Sequence, residues 1–274
     1  MKTSLALVVG ALMLSLASPQ QADSEARARR WFALGSSMRD QGNYAEALTD
    51  FQQIVDTLPE TSVADNALLE VARNQFDVQR DLEGTESTLA RLKKEYPKGD
   101  AIPWAWVLSG RIGLARRTNE AQITSAINDL DRVLQIYSET DAVPAALYYK
   151  AEAQRLSGRT DAARDGFLNV VQQYSRNTWA ARALLGVARC SLDRGDAAAA
   201  LQETERIRDR FPGTGEADTA LAWNTIIFRL YLHAQTRPAF EYKKPNVTGR
   251  AAARNRERIV RERRVMGGLL AMKL

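Results

Sequence analysis

The chain repeats itself at a fixed interval. Ala67-Leu68-Leu69-Glu70-Val71-Ala72-Arg73 is nearly copied at Ala183-Leu184-Leu185-Gly186-Val187-Ala188-Arg189, and Ala146-Leu147-Tyr148-Tyr149-Lys150-Ala151 follows the same pattern between them. Punctuation recurs at Leu58-Pro59, Tyr96-Pro97, Tyr137-Ser138, Tyr174-Ser175 and Phe211-Pro212, with successive spacings of 38, 41, 37 and 37 residues. That interval is the length of one helical-solenoid unit. No such unit buries its apolar face alone, so like units must stack on their neighbours.

Each unit reads as two helices. Trp31, Leu34, Gly35 and Met38 fall at i, i+3, i+4 and i+7, one stripe of a first helix. Gly42 ends it, since glycine accepts the left-handed C′ conformation without steric cost. Asn43, with Glu46 three residues on, has the spacing of a capping box for the second helix. Tyr44, Ala47, Phe51 and Ile54 form that helix's stripe, and Pro59 stops it. Gly158 and Gly195-Asp196 repeat the turn chemistry later in the chain.

Trp31-x2-Leu34-Gly35-x2-Met38 followed by Tyr44, Ala47, Phe51 and Pro59 resembles the tetratricopeptide repeat signature. Trp106-x2-Ser109-Gly110 opens a third unit in the same way. Small residues at Ala72, Ala151 and Ala188 in first helices, and at Ala126, Ala163 and Ala200 in second helices, let neighbouring helices approach closely. The resemblance implies an all-α fold, a right-handed α-α superhelix of about five helix pairs plus a capping helix. It spans residues 24–236, with Leu221, Ile227 and Leu230 of the capping helix facing the preceding pair and Trp223 and Phe228 widening the apolar face. Extra residues around Arg117-Thr118-Asn119-Glu120 predict a longer turn or bend in the third unit. Units longer than usual, ending in an aromatic residue plus Pro or Ser, are similar to exported repeat proteins of bacterial envelopes. These are the BamD-like outer-membrane assembly factors and the Tol-Pal-associated periplasmic proteins.

The resemblance also implies a concave groove lined by first helices. Arg73, Arg111 and Arg189 align at one register position there, with Glu152 in the fourth unit and Ser36 in the first. Three arginines on one wall suit carboxylates of a peptide or acidic partner, because guanidinium donates a fixed bidentate fork. Pairing with acids of the chain itself, such as Glu70 or Glu152, is the competing expectation. Trp106 fits the packing position, which leaves Trp104 beside Pro103 for a more exposed site, as loop anchor or partner contact. Tyr148 and Phe32 hold inner-helix positions that could add apolar groove contacts.

Composition bears on chemistry. With one cysteine, Cys190, and one histidine, His233, an internal disulfide, a Cys/His metal site and a histidine-based triad all lack parts. No nucleophile elbow or phosphate loop is present. The expectation is a chain with no catalytic residue, no metal and no cofactor.

The two ends differ from the middle. Lys2, the apolar run Leu5–Leu16 and small residues Ser15 and Ala17 have the form of a secretory signal peptide over residues 1–17. Ser18 stands where a lipoprotein signal would need Cys, so the expected protein is exported without a lipid, to the periplasm or the outer-membrane periphery. Residues 237–274 carry 11 Lys and Arg against 3 acids, while the rest of the chain is mildly acidic. This tail is expected to be disordered or marginally helical, with Ile259, Val260 and Met266 as its thin apolar stripe. It could adhere to an anionic membrane surface; nucleic acid is the poorer match, since aromatic interleaving is absent and the chain is exported. The residues together read as an exported scaffold that binds a protein or peptide.

Overall fold

The computed structural model describes residues 19–117 and 119–229; the signal segment, His233 and the basic tail lie outside them. Among the described residues there are eleven α-helices: α1 (Pro19–Asp40), α2 (Tyr44–Thr57), α3 (Ala64–Asn74), α4 (Leu82–Glu95), α5 (Ile102–Arg116), α6 (Glu120–Ile136), α7 (Val143–Leu156), α8 (Thr160–Gln173), α9 (Thr178–Asp193), α10 (Ala197–Arg210) and α11 (Gly215–Ile227). Odd-numbered helices are first helices and even-numbered ones their partners. The chain forms two compact units, one ending at Ala105 within α5 and the other beginning at Trp106. In the first unit α1, α2, α3 and α4 pack in chain order; in the second, α6 through α11 do the same. The fold is an all-α stack of consecutive helix pairs.

The sequence punctuation is the turn between pairs. Leu58, Tyr96, Tyr137, Tyr174 and Phe211 each end a second helix at φ between −135° and −120° and ψ between 38° and 55°. Each carbonyl then accepts from the N–H three residues on, and that residue's carbonyl accepts from a further N–H three residues later. Two linked turns thus carry every second helix into the next first helix. Side chains fix the new start: Asn177 accepts from the Trp179 N–H and Thr214 from the Ala217 N–H.

Within a pair, glycine makes the turn where the repeat signature is clear. Gly42, Gly158 and Gly195 lie at φ +86°, +74° and +79°. Each N–H donates three residues back, and the following N–H donates five back, the paired bonds of a Schellman ending. Asp196 then caps α10 by accepting from the Ala199 N–H at 2.9 Å. In the second and third pairs, Arg80 and Arg117 adopt positive φ instead. Arg80 follows a π-helical turn, Gln75–Gln79, that prolongs α3. The expected longer turn of the third pair does not form: α5 and α6 are separated by three residues, as in the first, fourth and fifth pairs, and the extra length lies in α6, which has 17 residues against 14 in the other second helices and is capped by Asn119.

Close approach explains the small residues. Gly35, Ala72, Gly110, Ala151 and Ala188 share one register position on first helices, all buried. A Cβ on Gly35 would lie 3.0 Å from the Phe51 ring, and one on Gly110 2.8 Å from Leu130 Cγ, so this face meets the helix's own partner. Two residues before Ala188, a Cβ on Gly186 would lie 2.6 Å from the Phe167 ring of the preceding α8. A first helix is therefore clasped on two faces. On the partners' side, Ala47, Ala126, Ala163 and Ala200 are buried too.

Four further expectations need correction. Asn43 makes no side-chain cap to α2; its amide instead lies 3.8 Å from Met38 Sδ, so the capping box does not form. Leu34 is 46% exposed because the packed stripe of α1 is narrower than the sequence suggests and runs through Ala28 and Gly35. Tyr44, the first residue of α2, is 45% exposed, since it sits at the turn rather than in the helix contact. Leu221 is 42% exposed, and α11 instead packs through Ala217, Ala220, Trp223, Ile226 and Ile227. Trp31 and Phe32 are half-buried, with the Phe32 ring 5.4 Å from Phe51.

Two sets of substitutions test this packing. Ala188→Trp should destabilise the second unit by about 1–3 kcal/mol or more, because that contact has no room for the ring. Asp196→Ala should cost about 1 kcal/mol and Asn43→Ala close to nothing, since only Asp196 holds a cap bond. Equilibrium denaturation measures all three.

Candidate functional site

The sequence-predicted residues lie in two places, one in each compact unit. In the first, the Arg73 guanidinium stands over the Trp104 ring at 5.0 Å and pairs with Glu70 at 2.5 Å. Glu70 is buried and takes a second arginine, Arg39, at 2.7 Å. A buried carboxylate between two guanidinium groups keeps both hydrogen-bonded and fixed in direction. Beside them lies a pocket of about 320 Å³ lined by Arg39, Tyr44, Phe51, Arg73, Asn74 and Val78, bordered by the π-helical turn.

In the second unit, Arg111 stands over the Tyr149 ring at 5.4 Å and Arg189 over the Trp223 ring at 5.4 Å. The three arginines thus follow one rule. Each leaves its first helix and lies on an aromatic side chain of the next first helix: α3 to α5, α5 to α7, α9 to α11. Cation–π contacts of this kind contribute about 0.5–2 kcal/mol each, and they hold long side chains in place.

Where the register carries Glu152 instead, the charges converge. Glu152 is held by Arg155 at 2.9 Å and lies 3.6 Å from Arg189; Arg155 also reaches Asp193 at 3.0 Å. Burial by itself would raise the Glu152 carboxyl, but the Arg155 hydrogen bond and the charges of Arg189 and Arg155 outweigh it and hold it below its ordinary value. The Arg155 guanidinium, opposed by burial and favoured by two carboxylates, is raised further above its already high range.

The aromatic candidates are part of the scaffold. Tyr148 packs at 5.4 Å from both Phe167 and Trp179 and edge-on to Tyr149, and burial pushes its hydroxyl up to about 12. Its side chain is half-buried, so it serves the scaffold while part of it stays accessible. Trp104 and Trp106 are both half-buried, and Arg132 covers Trp106 at 4.4 Å. Pairing with Glu70 and Glu152 is therefore real, yet Arg73 and Arg189 keep 33% and 27% of their side chains exposed. Sequence reading missed Arg39 and Arg155, and took Tyr149 and Trp223 only as repeat and packing residues rather than as partners of the arginines. The i, i+3 spacing of Glu70–Arg73 and Glu152–Arg155 was a visible signal, and Arg39 and Arg155 occupy the same register.

Little else is poised for chemistry. Among the described residues no group of three or more His, Cys, Asp or Glu is placed to hold a metal ion, and no helix is long and apolar enough to cross a membrane. Cys190 is buried, and burial pushes its thiol up to about 11, far from the thiolate that reacts.

Residues 31–61 and 145–177 match the tetratricopeptide repeat model. A thermophilic TPR protein from Thermus thermophilus has a similar structure, with a TM-score of 0.61 at 15% identity over 74% of this chain and 100% of that one. A Podosopora anserina protein with nearly identical TPR-like repeats, described as a kinesin light chain, gives 0.51 at 18% identity over 68% and 95%. No curated protein sequence matches the chain. At these identities the likeness establishes the fold, a TPR-like solenoid.

The Glu152 centre has a defined pH signature. A carboxyl lowered on folding adds stability above its unfolded value near 4.5, and that stability is lost as pH falls through the lower folded value. Glu152→Gln should cost roughly 3 kcal/mol at pH 7, leaving two guanidinium groups short of their counter-charge, and should flatten the acid dependence below that value. Asp65, whose carboxyl burial pushes up, contributes with the opposite sign in both proteins, so the difference between them isolates Glu152. Chemical denaturation across the acid range up to neutrality reads it.

Proposed function

We propose that this chain is an exported, non-enzymatic scaffold that binds a protein or peptide partner along its first helices. The observation that carries the reading is the stacking of Arg73, Arg111 and Arg189, each held over an aromatic ring of the next first helix. A guanidinium fixed in this way loses little side-chain entropy on binding, and the exposed parts of Arg73 and Arg189 can meet a carboxylate. The partner is therefore an acidic or carboxylate-terminated segment. The tetratricopeptide repeats support a binding role, and the signal-like residues 1–17 support export to the periplasm or the outer-membrane periphery. Envelope maintenance or outer-membrane protein assembly is the setting in which exported repeat chains of this kind would work.

The basic tail supports a second, compatible reading. Residues 237–274 hold 11 Lys and Arg against 3 acids, enough to adhere to anionic lipid headgroups near the working site of the solenoid. Such adhesion would weaken steeply with salt, which separates it from recognition by the arginines.

A photo-reactive residue at Ser36, on the arginine register of α1, should capture a partner in fractionated cell envelopes. The same residue at exposed Gln202 of α10 should not. With that partner in hand, replacing Arg73, Arg111 and Arg189 together by Gln should weaken it about a hundredfold, at ~1.5–3 kcal/mol for each desolvated charge-assisted contact. Capture from Gln202 alone, or recovery of the protein in the cytoplasmic fraction, would contradict the reading.

A further inference from the structure

We propose that the pocket beside the π-helical turn of the first unit is a binding subsite for an amphipathic carboxylate. Its ligand is an apolar body the size of one bulky side chain, with a carboxylate at one end. The cavity of about 320 Å³ is at the small end of ligand pockets, which run to roughly 300–1,000 Å³. Tyr44, which opens α2, and Val78, in the π-helical turn, both line it, and each is 45% exposed. Two of the five large apolar side chains exposed among the described residues therefore line one cavity. Ala47 and Phe51, both buried, complete the apolar part of the lining. Apolar surface gathered in a concavity marks a binding site, where a single exposed residue marks nothing.

The polar groups of the lining select the other end of the ligand. Both Glu70 oxygens are taken, one by Arg39 and one by Arg73. Arg39 gives further N–H groups to Asp40, and the Asn74 amide donates to the Tyr44 carbonyl. Asp77, the second acid of the lining, holds an interaction of its own. Arg73 differs: among the described residues it hydrogen-bonds through Nη1 alone, and 33% of its side chain is exposed. The pocket thus offers a guanidinium already fixed by Glu70 and the Trp104 ring, and a carboxylate is the planar acceptor that fits it.

The site is built before a ligand arrives. The Asn74–Tyr44 bond, at 3.1 Å, ties the end of α3 to the start of α2. The π-helical turn closes through Arg80 and Asp81, whose N–H groups both donate to the Gln75 carbonyl. Arg80 takes φ +60°, a left-handed conformation that a non-glycine residue adopts at a cost, and both such strain and π-helical turns gather at functional sites. α1, α7 and α9 end instead at the turn glycines Gly42, Gly158 and Gly195, so the pocket belongs to this end of α3 and not to every pair. Where the carboxylate is carried by a partner segment, the inference rests on the reading above; a free acid would fill the same subsite without it.

Methyl-resolved NMR of the full chain tests this, with 4-methylpentanoate as the probe. The Val78 methyl resonances, assigned by their loss in Val78→Asp, should shift on titration. Acetate, which lacks the apolar body, and 4-methylpentan-1-ol, which lacks the charge, should each bind about tenfold more weakly or worse. Val78→Asp, at an exposed position, should leave the melting temperature unchanged and weaken the acid about tenfold, followed at the Tyr44 ring protons. Val78→Ser should weaken it less. If the blocked peptide acetyl-Gly-Glu-Leu-Gly-amide matches the acid, the carboxylate comes from a partner segment; binding of the free acid alone assigns the subsite to a small amphipathic acid. Val78 resonances unmoved by the acid, equal binding of the three small probes, or indifference to Val78→Asp would overturn the subsite. Partner capture from Ser36 alongside such a failure would leave the arginine reading standing, and probe binding without capture would leave the subsite.

Discussion

The constraint on which the rest depends is the distance at which a first helix meets its two neighbours. Its own partner meets it at a position that holds only Gly or Ala in α1, α3, α5, α7 and α9, and in α9 the preceding second helix closes on a second face at Gly186. Gly35 against Phe51 and Gly186 against Phe167 show how little space remains. Once that spacing is set, the other features follow locally. The linked turns after Leu58, Tyr96, Tyr137, Tyr174 and Phe211 deliver each chain segment to the next contact at the same angle, and consecutive first helices come within reach of one another's side chains. A solenoid built this way is stabilised by near neighbours only, so its stability is a sum of small, similar increments.

The arginines turn that geometry toward function. Long side chains at the arginine register of α3, α5 and α9 reach the following first helix. Arg73, Arg111 and Arg189 all do so, and each finds an aromatic plane. Structural pairing and the proposed partner binding are compatible: the contacts that fix Arg73 and Arg189 inside the fold leave part of each side chain exposed. Glu152 is the exception in the register, and its consequence is a buried charge cluster with Arg155 and Arg189 rather than another stacked arginine.

Much of this was legible in the sequence because it is periodic. The duplicated Ala67–Arg73 and Ala183–Arg189 segments, the five punctuation sites and the turn glycines each recur, and recurrence separates a packing rule from chance. What did not recur was misjudged. Asn43 has the spacing of a capping residue and a backbone close to that of Asp196, which does cap, yet its side chain turns back toward Met38 Sδ. Leu34 and Leu221 fit an apolar stripe, yet they belong to terminal first helices, α1 and α11, and stripe arithmetic does not reveal which faces a neighbour covers. Tyr148 holds an inner-helix position in the sequence; its ring contacts with Phe167 and Trp179, which lie on two other helices, are not legible there. The pairing of the arginines with aromatic rings escaped notice for a related reason, since Trp104 sits one helical turn before the position that Tyr149 and Trp223 share.

The most direct test of the stacked-arginine account is solution NMR of the arginine Nε–Hε groups in the wild type and in Trp104→Leu, Tyr149→Leu and Trp223→Leu. A proton held over an aromatic face is shielded by the ring, so each substitution should move one resonance downfield, that of Arg73, Arg111 and Arg189 respectively. The other two should stay where they were. Substitutions that leave all three resonances unmoved would contradict the account, because the guanidinium groups would then not be held over their rings.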